Sequence, residues 1–379
     1  MKRVIIIGGG FGGFYSALGL EKEKNLEIIL VDPSNHFIYI PLIHEVSVGQ
    51  IPKSAVKINF NKALKRTRHI KSRVIFISFK DRRVKLDNNT KLSYDYLIIA
   101  CGSEPNKPIE GTGKLQTLKT LDDAKKIQKI LLDFIKTKKK SICVIGEGAT
   151  GTELISEMAS LLSNFDKRVE LHHFLYFKRY FQSMPNFDIP IKRQMEKLGV
   201  IVHSGEPVKK VSRKEVITEV GKYNFDLIFV STGVKSNIID TEIEFQGGYP
   251  IDNHCNIEGL ENVYAIGDVS KFDYKGDKSP KLAQAAENQA NYIIKDIIRR
   301  ENGRKRKPFN LKIIAQFISV GKNYAIGVFL NKLTVRGFFA WFMKRSFYFF
   351  EIFRRKKSFR LLKVYILSMI FSNLFLKMD

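Results

Sequence analysis

The hydrophobic pattern of the chain contains one arrangement twice. Residues 4–7 and 142–145 are unbroken apolar runs, and each is followed by a glycine-rich turn and then by a stretch of helical character. A short apolar run that ends in glycine is typical of a strand buried on both faces of a parallel sheet. The pattern therefore predicts an α/β fold with two separate strand–turn–helix units.

The first turn has the G-x-G-x-x-G spacing that suits a dinucleotide. Gly8 permits a tight turn, Gly10 lets the backbone approach a pyrophosphate, and Gly13 lets the following helix pack on the strand. The N–H groups at the start of that helix attract an anion. Asp32 ends the next apolar run, where a carboxylate can accept both hydroxyls of an adenosine ribose.

The second turn repeats the spacing with Gly146, Gly148 and Gly151, and a helix is predicted to begin near Thr152. The two turns together predict that one chain binds two dinucleotides. A lone G-x-G-x-x-G would be weak evidence, but here each copy lies between a strand and a helix.

The second copy lacks the acidic residue. Its next apolar run is predicted to end at His173 and Phe174, and Lys178 and Arg179 follow. Two interpretations stay open. The cations could neutralise the 2′-phosphate of NADPH, or the strand end has diverged and the ribose is held by backbone or water.

Two further strand ends carry small residues. The run that begins near Tyr96 ends in Cys101 and Gly102, and the run at residues 263–266 ends in Gly267 and Asp268. Ligands of open α/β sheets bind at the carboxyl ends of strands. Gly102, Gly267 and Asp268 are therefore candidate ligand contacts.

The last fifth of the chain combines bulky apolar residues with positive charge. Residues 301–379 hold 17 Lys and Arg against three acidic residues, and 13 of the 29 Phe with the single Trp. Two amphipathic helices are predicted, at residues 333–353 and 359–375, with a basic cluster at residues 354–357 between them. The longest run of low charge, residues 364–376, is shorter than the roughly 20 residues that cross a bilayer.

This tail is predicted to lie on an anionic bilayer surface. Two other interpretations compete with that prediction. The aromatic face could form an oligomer interface, including that of a homodimer, or the basic and aromatic residues could bind nucleic acid. Phe-rich helices without a nucleic-acid-binding sheet favour lipid, so we expect no nucleic acid partner.

The cysteines and histidines limit the chemistry. Cys101, Cys143 and Cys255 are far apart in sequence, which excludes a local redox disulfide and a zinc knuckle. The seven His residues show no ligand-pair spacing, and His172 and His173 are adjacent, so on a strand they would face opposite sides. We expect no metal site.

Taken together, the two glycine turns, the Ala100-Cys101-Gly102 turn and the Ile266-Gly267-Asp268 segment resemble the two-dinucleotide flavoproteins. That family includes disulfide reductases, ferredoxin reductases and the type II, non-pumping NADH:quinone dehydrogenases. The resemblance covers about residues 1–300. It implies two Rossmann-like domains, one for FAD and one for NADH or NADPH, and a C-terminal amphipathic helical membrane anchor.

The resemblance also implies roles for the motif residues. Gly8, Gly10, Gly13 and Asp32 would bind the adenosine half of FAD, and Asp268 its ribityl chain, with Gly102 and Gly267 beside it. The turn at residues 146–151 would bind the nicotinamide dinucleotide.

Residues 282–290 resemble the Ala-Gln-x-Ala-x-Gln segment of type II dehydrogenases, which faces flavin and quinone. Ala283 would let the backbone approach the flavin, and Gln284, Asn288 and Gln289 would hydrogen-bond the flavin edge and a quinone carbonyl. Asn288 replaces the Gln of the family pattern. Glu153 matches a family carboxylate near the nicotinamide, and Glu157, one turn on, is interpreted as a solvated residue.

The resemblance divides the chain into an FAD domain at residues 1–110 and 235–305, an inserted NAD(P)H domain at residues 111–234 and a membrane-associating region at residues 306–379. It implies an NADH:quinone oxidoreductase on the cytoplasmic face of the cell membrane, which takes a hydride from NAD(P)H and delivers electrons to a membrane quinone. The alternatives are a sulfide:quinone or ferredoxin-reductase-like flavoprotein, or a flavin-binding membrane protein with little turnover.

Overall fold

The computed structural model describes residues 1–138, 140–165, 169–330, 332–356, 358–371 and 374–376. The chain forms two compact units. Unit 1 contains Met1–Ile38, Lys57–Glu104 and Lys235–Ile313, and unit 2 contains Tyr39–Val56, Pro105–Val234 and Ile314–Asp379. These are geometric divisions, so the cofactor domains assigned to residues 1–110, 111–234 and 235–305 stay a prediction.

Unit 1 is built on a five-stranded parallel sheet whose strands are largely buried, apart from Arg68–Ile70 at one edge. In spatial order the strands are Val263–Ala265, Tyr96–Ile99, Lys2–Ile7, Leu26–Val31 and Arg68–Ile70. The helices Phe11–Leu20 and Ala283–Glu301 pack on each other at Gly19, where a Cβ would lie 2.2 Å from Ile294 Cδ1.

Smaller elements complete unit 1. A second sheet contains, in spatial order, Asp240–Thr241, Val74–Ser78, Arg83–Leu86 and Lys91–Ser93. Three pairs of short strands join His36–Ile38 to Lys57–Asn59, Tyr249–Pro250 to Ser270–Lys271, and Asp273–Tyr274 to Asp277–Lys278. The helix Phe60–Ala63 and the 3-10 turn Gly267–Val269 lie between strands.

Unit 2 is built on a four-stranded parallel sheet with its own helices. The strands in spatial order are Val200–Ser204, Glu170–Leu175, Ser141–Ile145 and Leu227–Val230. The helices of unit 2 before the tail are Ile43–Ser47, Leu121–Ile135, Ala149–Leu162 and Asp188–Lys197, with 3-10 turns at Ile40–Leu42 and Pro185–Phe187. A three-stranded antiparallel sheet contains Lys210–Ser212, Glu215–Ile217 and Lys222–Asn224.

The tail differs from its predicted form. Its first part is an antiparallel sheet of Ala315–Ser319, Ala325–Phe329 and Leu333–Gly337. The predicted helix start at residue 333 is therefore wrong, because Leu333–Gly337 pairs with the preceding strand. The helix begins at Phe338, after Gly337 at φ 85°, and runs to Lys356.

The second tail helix is Phe359–Ile370, shorter than the predicted range that ended at residue 375. Lys357 of the basic cluster lies outside the described residues. Among the residues described, no helix combines the length and the apolar composition needed to cross a membrane.

The two glycine turns place each helix against its own strand. A Cβ on Gly13 would lie 1.8 Å from the carbonyl oxygen of Gly8, and a Cβ on Gly151 would lie 2.0 Å from that of Gly146. Such distances lie far inside van der Waals contact. Only glycine fits at the third position of either turn.

We predict that Gly151→Ala destabilises the protein, although alanine within a helix is normally favoured over glycine by about 1 kcal/mol. The added methyl has to displace the Gly146 backbone, at a cost of about 1–3 kcal/mol or more. Denaturant unfolding measures the change. Gly148→Ala in the same turn is the control, because no described atom lies within 4 Å of its Cβ position. Equal stability of the two variants would contradict the packing argument.

Candidate functional site

Each glycine turn leaves an open backbone surface at the start of its helix. Gly10 and Gly148 are the N-caps of the helices Phe11–Leu20 and Ala149–Leu162, and in neither case does a side chain cap the helix. No described heavy atom lies within 4 Å of a Cβ built on either glycine. Uncapped helix N–H groups with open space at the cap glycine are what a pyrophosphate requires, so the residues present fit a dinucleotide in both units.

Asp32 lies at the end of the strand Leu26–Val31, next to the first turn. Its Oδ2 accepts a hydrogen bond from Gly9 N at 2.6 Å, and its Oδ1 accepts one from Ser34 N at 2.7 Å. Burial raises the pKa of this carboxyl above its ordinary value, and the two N–H donors oppose that effect. The structure thus brings Asp32 to the turn, as the spacing predicts.

The Gly267–Asp268 turn lies at another strand end in unit 1. Gly267 has φ 71°, and a Cβ there would lie 3.2 Å from Ala286 Cβ on the helix Ala283–Glu301. Ser103 Oγ donates a hydrogen bond to Asp268 Oδ2. Gly102, beside Ser103, also has positive φ, at 71°. The predicted group Gly102, Gly267 and Asp268 is therefore in one place.

Gln289 holds this turn in position. Its Oε1 accepts a hydrogen bond from Gly267 N at 2.7 Å, and its Nε2 donates to Ser270 Oγ at 3.1 Å. The side chain is only 1% exposed. Its amide therefore orients the Asp268 loop, and its predicted contact with flavin or quinone stays a prediction.

The other predicted amides lie in the first turns of the same helix. Asn288 Nδ2 donates to the Gln284 backbone oxygen at 2.9 Å, so this amide folds back along its own helix. Ala283 is the first helical residue. Ala283, Gln284 and Asn288 are half-buried, and the structure holds them beside the Gly267 turn.

The three cysteines are free thiols, and burial disfavours the thiolate form of each. Cys101 Sγ donates to Asn237 O at 3.0 Å, and burial raises the pKa of this thiol to about 12. Burial also raises the pKa of Cys143 and Cys255 well above the ordinary value, and all three cysteines are free. A thiol with a raised pKa is a poor nucleophile at neutral pH.

His173 lies on the strand Glu170–Leu175, next to the second glycine turn. The strand runs to Leu175, so the predicted strand end at His173 and Phe174 is wrong. His173 Nε2 is 2.9 Å from the carbonyl oxygen of Gly146, and its Nδ1 is 2.8 Å from the Tyr180 hydroxyl. Burial lowers the pKa of His173 to about 4, so the ring is a neutral support beneath the turn.

Glu153 is part of a buried ionic group in unit 2. Lys344 Nζ, from the first tail helix, donates to Glu153 Oε1 at 2.5 Å and to Ser319 Oγ at 2.8 Å. His44 Nδ1 lies 3.4 Å from Glu153 Oε2. Burial alone would raise the pKa of Glu153, but the charges of His44 and Lys344 hold it below its ordinary value.

A second buried pair lies beside the first. Arg345 Nη2 is 2.8 Å from Glu45 Oε2 and donates to Ser368 Oγ at 3.0 Å, so it joins both tail helices to the helix Ile43–Ser47. Glu157 is 3% exposed, which contradicts the interpretation as a solvated residue. Burial, together with the nearby Glu45, raises the pKa of Glu157 to about 8.

Sequence reasoning missed His44, Glu45, Lys344 and Arg345. The sequence predicts contacts to lipid headgroups for the tail cations, whereas Lys344 and Arg345 are buried against carboxylates. One signal was available, because Trp341, Lys344 and Tyr348 follow helical spacing and so share a face. Glu153 and Glu157 are likewise one turn apart on their helix.

Comparisons with known proteins place this geometry among oxidoreductases. Ferroptosis suppressor protein 1 of Taeniopygia guttata is 25% identical over 345 residues, covering 86% of this chain and 88% of that protein. Demethylphylloquinone reductase NdbB of Synechocystis is 25% identical over 353 residues, covering 86% of each. The structure of NDH2 from Plasmodium falciparum in complex with NADH superposes with a TM-score of 0.84 at 18% identity, covering 97% of both chains. At that identity the likeness shows a shared fold.

A family model described as pyridine nucleotide-disulphide oxidoreductase matches residues 2–290. The matched range includes both glycine turns, Asp32, Asp268 and the start of the helix Ala283–Glu301. The predictions of a two-dinucleotide α/β fold and of an FAD-dependent oxidoreductase that uses a nicotinamide dinucleotide are therefore confirmed. The chain belongs to the pyridine nucleotide-disulphide oxidoreductase family.

Proposed function

We propose that this chain is a type II NADH:quinone oxidoreductase, which takes a hydride from NAD(P)H and passes electrons to a membrane quinone without pumping protons. The matched pair of open glycine turns carries the proposal, because it provides for two dinucleotides in one chain. Quinone as the acceptor is supported by a relative whose name is demethylphylloquinone reductase.

The first turn and Asp32 would hold the pyrophosphate and adenosine ribose of FAD, and Asp268 its ribityl chain. When bound, FAD supplies the two-electron redox chemistry that links hydride donation to quinone reduction. The second turn would hold NADH at the N-terminus of the helix Ala149–Leu162. The glycines allow close backbone approach, so the main contribution of this chain is orientation of the two dinucleotides.

Reduction of a quinone consumes two protons, and we propose Lys344 and Glu157, two buried groups of unit 2, as their source. Lys344 is 1% exposed, and Glu153 raises the pKa of its ammonium group against the effect of burial. Glu157, with its pKa near 8, keeps its carboxyl proton at neutral pH. We propose Glu153 as the residue that accepts a hydrogen bond from the Lys344 ammonium and orients this proton donor.

An apolar cavity lies next to these charges in unit 2. Leu42, Ile51, Phe349, Ile352 and Leu361 are among its lining residues, and Arg345 forms part of the wall. The lining also includes Glu45, whose carboxylate pairs with Arg345, and the cavity volume is about 30 Å³. Ligand pockets usually measure roughly 300–1,000 Å³, so we assign no quinone to this cavity.

The tail helices would dock this unit on a bilayer. Phe338, Phe339, Phe342, Phe347 and Phe350 on the first helix are 42–63% exposed, and Phe359 at the start of the second is 84% exposed. Arg354 and Lys363 are exposed among them. Exposed aromatic residues beside cations are typical of a helix in the membrane interface. The proposed location is therefore the cytoplasmic face of the cell membrane, as a peripheral protein.

The three thiols disfavour the alternative activity of a sulfide:quinone oxidoreductase. Sulfur transfer needs an accessible thiolate pair, whereas Cys143 and Cys255 are fully buried and Cys101 is hydrogen-bonded to Asn237. We therefore propose no sulfide activity.

The proposed reaction predicts a yellow protein. Purified protein should release FAD on denaturation, NADH or NADPH should bleach the flavin absorbance under anaerobic conditions, and a short-chain quinone should restore it. Stopped-flow absorbance measures both steps. A colourless protein would refute the proposal, and bleaching without recovery by quinone would point to a ferredoxin-reductase-like partner instead.

For Glu153→Gln we predict that quinone turnover falls by about 10²-fold or more, because the proposed proton donor Lys344 loses the carboxylate that orients it. Flavin content should not change. The variant also leaves the Lys344 ammonium buried without its counter-charge, which costs about 3–5 kcal/mol.

The double variant Glu153→Gln/Lys344→Met separates the two effects. It removes the orphaned charge, so thermal stability should recover while quinone turnover stays low. The double variant also removes the proposed proton donor Lys344. If turnover recovers together with stability, neither Glu153 nor Lys344 takes part in proton delivery, and the role of this pair is structural.

For the membrane face, Phe338→Ser/Phe339→Ser/Phe342→Ser should weaken binding to anionic vesicles by a factor on the order of a hundred or more, since each buried Phe contributes about 1.5–3 kcal/mol. Vesicle co-sedimentation measures the change. Ile189→Ser/Ile201→Ser/Val220→Ser, at three exposed apolar sites outside the tail, is the control. Unchanged vesicle binding together with loss of a dimer in light scattering would identify this face as an oligomer interface.

A further inference from the structure

The second glycine turn has no acidic residue at the end of its neighbouring strand. In unit 1, Gly8 N donates to Val31 O at 2.9 Å, and the next residue is Asp32. In unit 2, Gly146 N donates to Phe174 O at 2.9 Å, so the residue equivalent to Asp32 is Leu175. Leu175 is fully buried and apolar, and it offers a ribose no hydrogen bond.

A carboxylate nevertheless reaches this place from the turn itself. Glu147 is the second residue of its turn, the position that Gly9 holds in unit 1. Its Oε2 accepts a hydrogen bond from Tyr176 N at 3.1 Å, directly after the strand Glu170–Leu175. In unit 1 the Asp32 carboxylate makes the reverse connection, accepting from Gly9 N at 2.6 Å.

Both units therefore place one carboxylate between the second residue of the turn and the chain that follows the second strand. In unit 1 the strand end provides it, and in unit 2 the turn provides it. We infer that Glu147 recognises the adenosine ribose of the nicotinamide dinucleotide and makes the chain specific for NADH over NADPH. The inference rests on the proposed function and adds the identity of its reductant.

The chemistry of Glu147 suits this role. Its side chain is partly exposed, and its Oε1 has no hydrogen bond to any described residue, so it can accept from a ribose hydroxyl. The 2′-phosphate of NADPH would replace that hydroxyl with about two negative charges beside the carboxylate.

Lys178 and Arg179 are the rival determinants, because cations there would favour NADPH. Both are exposed. The Lys178 side chain lies against Gly205, where a Cβ would be 2.8 Å from Lys178 Cγ, at the end of the next strand, Val200–Ser204. Glu147 instead accepts a hydrogen bond from Tyr176 N, and Tyr176 directly follows Leu175, the residue equivalent to Asp32.

The test compares the two nicotinamides on the full-length flavoprotein. The wild type should bind NAD⁺ at least about tenfold more tightly than NADP⁺ in isothermal titration calorimetry, which corresponds to one hydrogen bond to a charged group. Glu147→Gln should narrow this ratio by roughly tenfold, since it weakens NAD⁺ binding and removes the repulsion of NADP⁺. The ratio of kcat/KM for NADH and NADPH should shift in the same direction.

Glu196→Gln is the matched control, because it removes the same charge from an exposed residue of unit 2, and it should leave the ratio unchanged. Should Glu147→Gln fail to fold, the wild-type protein still tests the predicted preference for a free 2′-hydroxyl, because it should bind 5′-AMP more tightly than adenosine 2′,5′-bisphosphate.

Two results would overturn the inference: a wild type that binds both dinucleotides equally or prefers NADP⁺, and a ratio that Glu147→Gln leaves unchanged. Failure of the proposed function looks different, because neither NADH nor NADPH would then bleach the flavin. Bleaching by both nicotinamides with equal affinity would thus sustain the oxidoreductase and reject the role of Glu147.

Discussion

The close approach of each fingerprint helix to its own strand is the constraint on which the rest depends. A single atom added at Gly13 or Gly151 would collide with the carbonyl oxygen that ends the strand. This contact fixes the first turn of the helix directly beyond the sheet, with its N–H groups uncapped and open. The same two glycine contacts thus leave two helix N-termini of the kind that favour an anion, and neither depends on a charged side chain.

A second constraint operates in unit 2, where buried charges replace apolar packing. The side chains of Lys344 and Arg345 can be buried because they form ion pairs with Glu153 and Glu45. The hydroxyl groups of Ser319 and Ser368 accept further hydrogen bonds from these two cations. Such pairs contribute little net stability, but removal of one partner is costly. The first tail helix is therefore held in one rotational position by its charges.

Local spacing was enough to predict much of the fold. The two glycine turns, the strands before them and Asp32 follow from short-range sequence rules, and the structure places them together. The tail shows where such rules fail. Residues 333–337 fit either a helix or a strand, and the choice depends on pairing with Ala325–Phe329.

The buried ionic group could not be predicted for a related reason. Glu153 and Lys344 are 191 residues apart in sequence, and their contact exists only once the sheet, the helix Ala149–Leu162 and the tail are assembled. The equivalence of Leu175 to Asp32, and with it the position of Glu147, could not be predicted from sequence spacing either. Only the backbone pairing of Gly146 with Phe174 shows which residue takes the position of Asp32.

The anchored tail helix has a consequence for how the protein would meet a bilayer. Amphipathic helices that fold on contact with lipid sense curvature, since ordering of the chain is coupled to defects in lipid packing. The helix Phe338–Lys356 is already held in place by the ion pairs of Lys344 and Arg345. Rotation or unfolding of this helix would separate the pairs and leave the carboxylates of Glu153 and Glu45 buried without a counter-charge. Docking would then be rigid, with one fixed tilt of unit 2 and no preference for strongly curved membranes.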